Sequence, residues 1–138
     1  MRRLLLLLLI GMVFPSLFYA QDRQNGNAVQ GKDAEYAFEQ LEEKPEYPNG
    51  NEGLGKYLSE NIKYPKKALK NGVSGKVFVQ FVIDKTGKVT NVVAVRGVEK
   101  SLDKEAVRVI KSMPKWKPGM KDGQPVKVKY TIPINFKF

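Results

Sequence analysis

The chain has 138 residues, 42% of them hydrophobic, and 24 Lys and Arg against 14 Asp and Glu give a formal net charge of +10. It contains no Cys and no His, which removes disulfides, thiolate nucleophiles, a lipid-modified N-terminal Cys, the usual zinc and haem ligands and the commonest general base. Hydrophobic burial alone must stabilise what is a single domain of ordinary size, and its scattered basic residues read first as a solvated surface.

Residues 1–20 stand apart. Met1-Arg2-Arg3 is basic, residues 4–18 are almost wholly apolar, and Ala20 provides a small residue before polar sequence begins. This is the pattern of a secretory signal peptide. The same run approaches the roughly 17 to 25 residues that span a bilayer, so an uncleaved anchor is the alternative. Residues 21–37 are polar, rich in Asn, Gln and Gly, and lack a sustained period. They read as a flexible lead-in to a domain over residues 38–138.

Pro45, Pro48, Asn49 and Gly50 predict an extended segment and a turn, then a short helix over residues 52–61 that buries Leu54, Tyr57 and Leu58. Pro65 can open a second helix, with Ala68 and Leu69 on its apolar side, Lys66, Lys67 and Lys70 upon it, and Asn71-Gly72 as its stop. Gly75 then opens a strand with Val77, Val79, Phe81 and Ile83 on one face and Phe78, Gln80 and Val82 on the other. Apolar residues on both faces mark a central strand. Asp84-Lys85-Thr86-Gly87 is a tight hairpin turn, and residues 89–96 return.

After Gly97 a helix is predicted with Ser101 as its N-cap, Asp103 and Glu105 in its first turn, and Leu102, Ala106, Val109, Ile110 and Met113 at helical spacing. Pro114 ends it. A loop containing Trp116, Pro118, Gly119 and Asp122-Gly123 follows, with Trp116 expected to cap the core rather than to stack on a ligand. From residue 126 onward every second residue is apolar: Val126, Val128, Tyr130, Ile132, Ile134, Phe136 and Phe138. This is a long, half-buried strand. Pro133, on its polar face, has no N–H for a ladder and places the strand at a sheet edge. The expected fold is α+β: a three-stranded antiparallel sheet in the order hairpin, helix, strand, with one main helix on a face and short N-terminal helices.

No catalytic constellation emerges. Lys111 and Ser112 are adjacent on a helix and do not face each other. Asp84 and Asp122 sit beside turn glycines, Asp103 in a helix first turn, and Glu42, Glu43 and Glu46 in a Pro-flanked run without the alternation of a calcium loop. The chain therefore reads as a non-enzyme, with no metal or cofactor implied and no recognised nucleic-acid motif. An open strand edge offers strand addition, in which backbone hydrogen bonds give affinity and alternate side chains give selectivity.

The segments Lys44-Pro45-Glu46-Tyr47-Pro48-Asn49-Gly50, Tyr57-Leu58-Ser59-Glu60-Asn61-Ile62-Lys63-Tyr64-Pro65, Gly75-Lys76-Val77, Asp84-Lys85-Thr86-Gly87, Leu102-Asp103-Lys104-Glu105-Ala106, Met113-Pro114-Lys115-Trp116-Lys117-Pro118-Gly119 and Pro133-Ile134-Asn135-Phe136 occur in an order and spacing that resemble the C-terminal domain of the TonB energy-transducer family, in its Bacteroidetes-type form. The resemblance implies a periplasmic domain whose last strand pairs with a short receptor segment, the TonB box, beneath TonB-dependent outer-membrane receptors. It places the binding edge on residues 126–138, with Lys127, Lys129, Thr131, Pro133 and Asn135 beside the bound segment. Lys66, Lys67 and Lys70 form a second expected contact. Force-transmitting members carry a membrane helix with a His that couples to the proton-driven inner-membrane motor, followed by a long Pro-rich spacer, and neither this His nor this spacer is found here. Three roles are consistent with the sequence: a periplasmic receptor-binding domain, an inner-membrane-anchored transducer component, or an envelope module that binds peptidoglycan or forms a homodimer through the same edge.

Overall fold

The computed structural model describes residues 34–138, and the expected signal peptide or anchor, with most of the lead-in, lies outside them. The fold runs β1 (Glu35–Ala37), a 3-10 turn (Phe38–Gln40), α1 (Gly50–Asn61), α2 (Lys66–Lys70), β2 (Gly75–Ile83), β3 (Val89–Arg96), α3 (Lys100–Lys111), β4 (Gly119–Lys121) and β5 (Gln124–Phe136). Among the described residues no helix is long and apolar enough to cross a membrane.

The expected hairpin, helix and final strand are present, in a sheet ordered β1, β5, β2, β3, with β4 paired to the start of β5. The sheet has five strands rather than three, and it is not wholly antiparallel. β1 pairs in parallel with β5, Glu35 opposite Lys127 and Ala37 opposite Lys129. This strand falls inside the stretch expected to be lead-in. β4 is the second addition: Asp122 (φ 51°) and Gly123 (φ 75°) both take the left-handed conformation of a two-residue hairpin turn, so the expected loop turns back as a β-hairpin.

β2 is the central strand. It pairs with β5 from Gly75↔Phe136 to Ile83↔Val128 without a break, and its Val77, Val79, Phe81 and Ile83 are fully buried. α3 covers that face with Leu102, Ala106, Val109 and Ile110, all inaccessible to solvent. Burying each larger aliphatic of this set stabilises the fold by about 1.5–3 kcal/mol. Met113 and Trp116 close the core beyond the helix end, Trp116 edge-on to Tyr47 with ring centroids 5.6 Å apart. Tyr57 anchors α1 to α3 by donating its hydroxyl to the Val109 carbonyl at 2.7 Å.

Two local expectations are corrected. The N-cap of α3 is Glu99, not Ser101; the Ser101 hydroxyl donates to the Glu99 carboxylate at 2.6 Å, and the Asp103 carboxylate accepts the Val98 N–H at 2.9 Å. The chain preceding the helix is thus held by side chains from its first turn. On α2 only Ala68 is buried, and Leu69 is 50% exposed. Neighbouring helical positions point about 100° apart, so this short helix buries Ala68 against the core and turns Leu69 to solvent.

Candidate functional site

β5 alternates as its sequence dictates. Val128, Ile132, Ile134 and Phe136 are buried, while Lys129, Thr131, Pro133 and Asn135 are exposed. β2 lines one side of it, placing Lys129 opposite Val82, Thr131 opposite Gln80, Pro133 opposite Phe78 and Asn135 opposite Lys76. On its other side the strand is not open throughout. β1 occupies the register of Lys127, Val128 and Lys129, and the strand's first residues, Gln124, Pro125 and Val126, pair with β4. Among the described residues no strand pairs with the remaining flank, residues 130–136. The free edge is therefore shorter than the expected 126–138.

The expected binding residues consequently divide. Lys127 and Lys129 belong to the β1 pairing, and the Lys129 ammonium lies 3.5 Å from the Glu35 carboxylate. Thr131, Pro133 and Asn135 lie along the unpaired flank. Lys66, Lys67 and Lys70 are exposed on α2, whose approach is fixed by Tyr64: its ring packs edge-on to Phe136 at 5.7 Å and stacks on Phe138 at 5.4 Å. The start of α2 is thereby held beside the last residues of β5, at the far end of the strand from Lys127 and Lys129. The Tyr64 hydroxyl also donates to the Val73 carbonyl, which fastens the loop after α2.

Three residues of the site had no signal strong enough to be singled out from sequence. Phe38 stacks on Tyr130 at 3.9 Å and 13°, where the β1 pairing ends; Lys121 of β4 lies over the Tyr36 ring at 4.5 Å; and Glu35 meets Lys129. The alternation of Tyr36 and Phe38 is the only trace in the sequence, and two positions are too few to define a period. Burial, with the Glu39 carboxylate nearby, pushes the Tyr130 hydroxyl above the usual phenol range. The edge offers backbone donors and acceptors, a half-buried aromatic and small exposed polar side chains. An unpaired flank of this kind is chemically able to accept an extended chain as an added strand.

The other sheet edge differs. β3 pairs with β2 through two register breaks, one between Phe78 and Val79 and one between Gln80 and Val82. Asn91 adopts φ 50° at the second. Such bulges twist an edge and interrupt its ladder.

Residues 60–138 match the family model described as the Gram-negative bacterial TonB protein C-terminal. No curated protein matches the chain. Among solved structures, a Helicobacter pylori TonB C-terminal domain is similar at 29% identity, covering 61% of this chain and 88% of its own, with a TM-score of 0.47. The TonB2 protein of Vibrio anguillarum is similar at 25% identity over 82% of this chain and 89% of its own, with a TM-score of 0.43. With more than half of its length matched by the family model, the chain belongs to the TonB C-terminal domain family.

Proposed function

We propose that this domain acts in the periplasm as a receptor-engaging module, taking up an extended segment of a TonB-dependent outer-membrane receptor as a strand along residues 130–136 of β5. The observation that carries this reading is the contrast between the two sheet edges: β5 keeps an unbroken register with β2, whereas β3 is interrupted twice. β1 supports it from the same side, since this flank of β5 already holds one short strand in parallel. Proline is accommodated in a paired strand when its nitrogen faces away from the ladder. By parity, Thr131, Pro133 and Asn135 then turn their backbone toward the free flank. The backbone supplies the affinity, and the exposed side chains select among segments. In this reading residues 1–20 direct export, and retention of Met1 in the inner membrane would instead make the protein an anchored transducer component.

Titrating the isotope-labelled protein with a synthetic receptor-derived segment should shift the amide signals of residues 130–136. Thr131→Pro removes a donor from that flank and should weaken binding by about tenfold or more. A folded Thr131→Pro protein with undiminished affinity overturns the reading, as do shifts confined to β3.

A further inference from the structure

We infer that the groove between α3 and the edge of β3 is a second docking surface, separate from the β5 flank, and that it receives an acidic amphipathic helix of a partner protein. The groove measures about 790 Å³ and has Ala94, Val98 and Val107 among its lining residues. Val98 is 42% exposed, and Ala94 and Val107 are half-buried, so an apolar floor is open to solvent.

The rim is cationic. Lys100, Lys104 and Lys111 line it, are all exposed, and form no ion pair among the described residues. The acids of the rim are turned into their own chain: Glu99 accepts the Ser101 hydroxyl and Asp103 accepts the Val98 N–H. Arg108 is likewise committed, to Glu105 and to the Asn61 carbonyl. What remains for an incoming ligand is three ammonium groups outside any ion pair, beside an apolar strip.

Their spacing selects the ligand's form. Positions 100, 104, 107 and 111 recur at steps of four, three and four, so the three lysines and Val107 fall in one row along α3. A row of this period matches a second helix lying alongside. α3 has 12 residues, about 18 Å or three turns at ~1.5 Å per residue. The bulged edge of β3 disfavours an added strand at the same place. The occupant that fits is a helix of about three turns, with Asp or Glu at matching intervals for the lysines and an apolar stripe for Ala94, Val98 and Val107.

The test uses the isotope-labelled full-length protein and two synthetic peptides of identical acidic and apolar composition, one patterned as an amphipathic helix and one scrambled. The patterned peptide should shift amides of α3 and of residues 94–100, leave residues 130–136 unmoved, and bind at least about tenfold more tightly than the scrambled peptide. Charge reversal at Lys104 and Lys111, K104E with K111E, should weaken it by about tenfold or more, and raising salt from about 0.05 to 0.5 M should weaken it as well. Equal binding of both peptides, shifts spread over Lys66, Lys67 and Lys70, or full displacement by a flexible sulfated polymer would each overturn the inference by showing attraction to basic charge alone. Shifts centred on residues 130–136 would also overturn it while leaving the β5 reading intact.

Discussion

The Phe38 ring lies flat against the Tyr130 ring, 3.9 Å between centroids, at the position where β5 passes from a paired strand to a free edge. An aromatic pair contributes about 0.5–1.5 kcal/mol beyond the area it buries. Phe38→Ala should therefore loosen β1 far more than it loosens the sheet. Hydrogen exchange is expected to quicken about tenfold at Lys127 and Lys129, whose backbone faces β1, with Val128 and the β2 amides unchanged. An equal acceleration in both places would show that β1 is not a separately detachable strand.

Gly87 sits at φ 90° in the β2–β3 turn, and a Cβ built there would lie 1.8 Å from the Trp116 carbonyl oxygen. Its own carbonyl accepts the Trp116 N–H at 2.8 Å, and its N–H donates to the Asp84 carbonyl at 3.0 Å. Gly87→Ala combines a left-handed backbone with a backbone clash, and should cost about 2–4 kcal/mol. Urea unfolding followed by the fluorescence of the sole tryptophan, which is buried, measures it directly.

Two carboxylates link the stability of the fold to acid pH. One oxygen of Asp84 accepts the Thr86 N–H at 2.8 Å, the Thr86 hydroxyl at 2.6 Å and the Lys88 N–H at 3.0 Å. Desolvation alone would raise this carboxyl, but the Thr86 and Lys88 hydrogen bonds, with the Lys88 charge, outweigh it and hold it below the usual carboxylate range. Glu105 is lowered in the same sense. Desolvation opposes the shift, while the Arg108 pair and the Lys63 N–H, which donates at 2.6 Å, prevail. A depressed folded pKa gives stability that is fully present above the unfolded value, about 4 for these groups, and is lost as pH falls through the folded value. Stability should thus be flat from neutral pH to about 5 and decline below about 4. The Asp84→Asn and Glu105→Gln pair of substitutions should flatten that decline while lowering stability at pH 7; an unchanged acid slope would assign it to other groups.

Leu69 and Leu102 are the same residue type in opposite surroundings, one 50% exposed and the other fully buried. Leu69→Lys should change stability by less than about 0.5 kcal/mol. Leu102→Ala should cost about 2–5 kcal/mol through lost contacts and a cavity beneath α3. Thermal unfolding of both variants checks the burial of each helix face.

The elements legible in the sequence were those long enough to repeat a period. Val77, Val79, Phe81 and Ile83 announced β2, the spacing from Leu102 to Ile110 announced α3, and the alternation from Val126 announced β5. β1 could not be read this way. Three residues, Glu35–Ala37, carry no period, and their strand exists only because the chain returns to the register of Lys127 and Lys129. β4 is equally short, although Asp122-Gly123 was a usable hairpin signal within a loop otherwise full of turn residues. The site was legible in its side-chain alternation but not in its extent. Pro133 pointed to an edge, yet nothing local in β5 could show that its first half is already flanked.

The shortness of β1 also decides how the domain meets mechanical load. Tension carried by the chain ahead of Glu35 enters through a joint of three residue pairs, steadied by the Phe38–Tyr130 contact and the Glu35–Lys129 ion pair. Few hydrogen bonds at about 1 kcal/mol each hold that joint, whereas β2 and β5 are locked together along the full length of β2. A pull from upstream therefore peels β1 away before the sheet yields. Under the reading proposed above, release of β1 would bare the flank at Lys127 and Lys129 and lengthen the β5 edge available to an added strand.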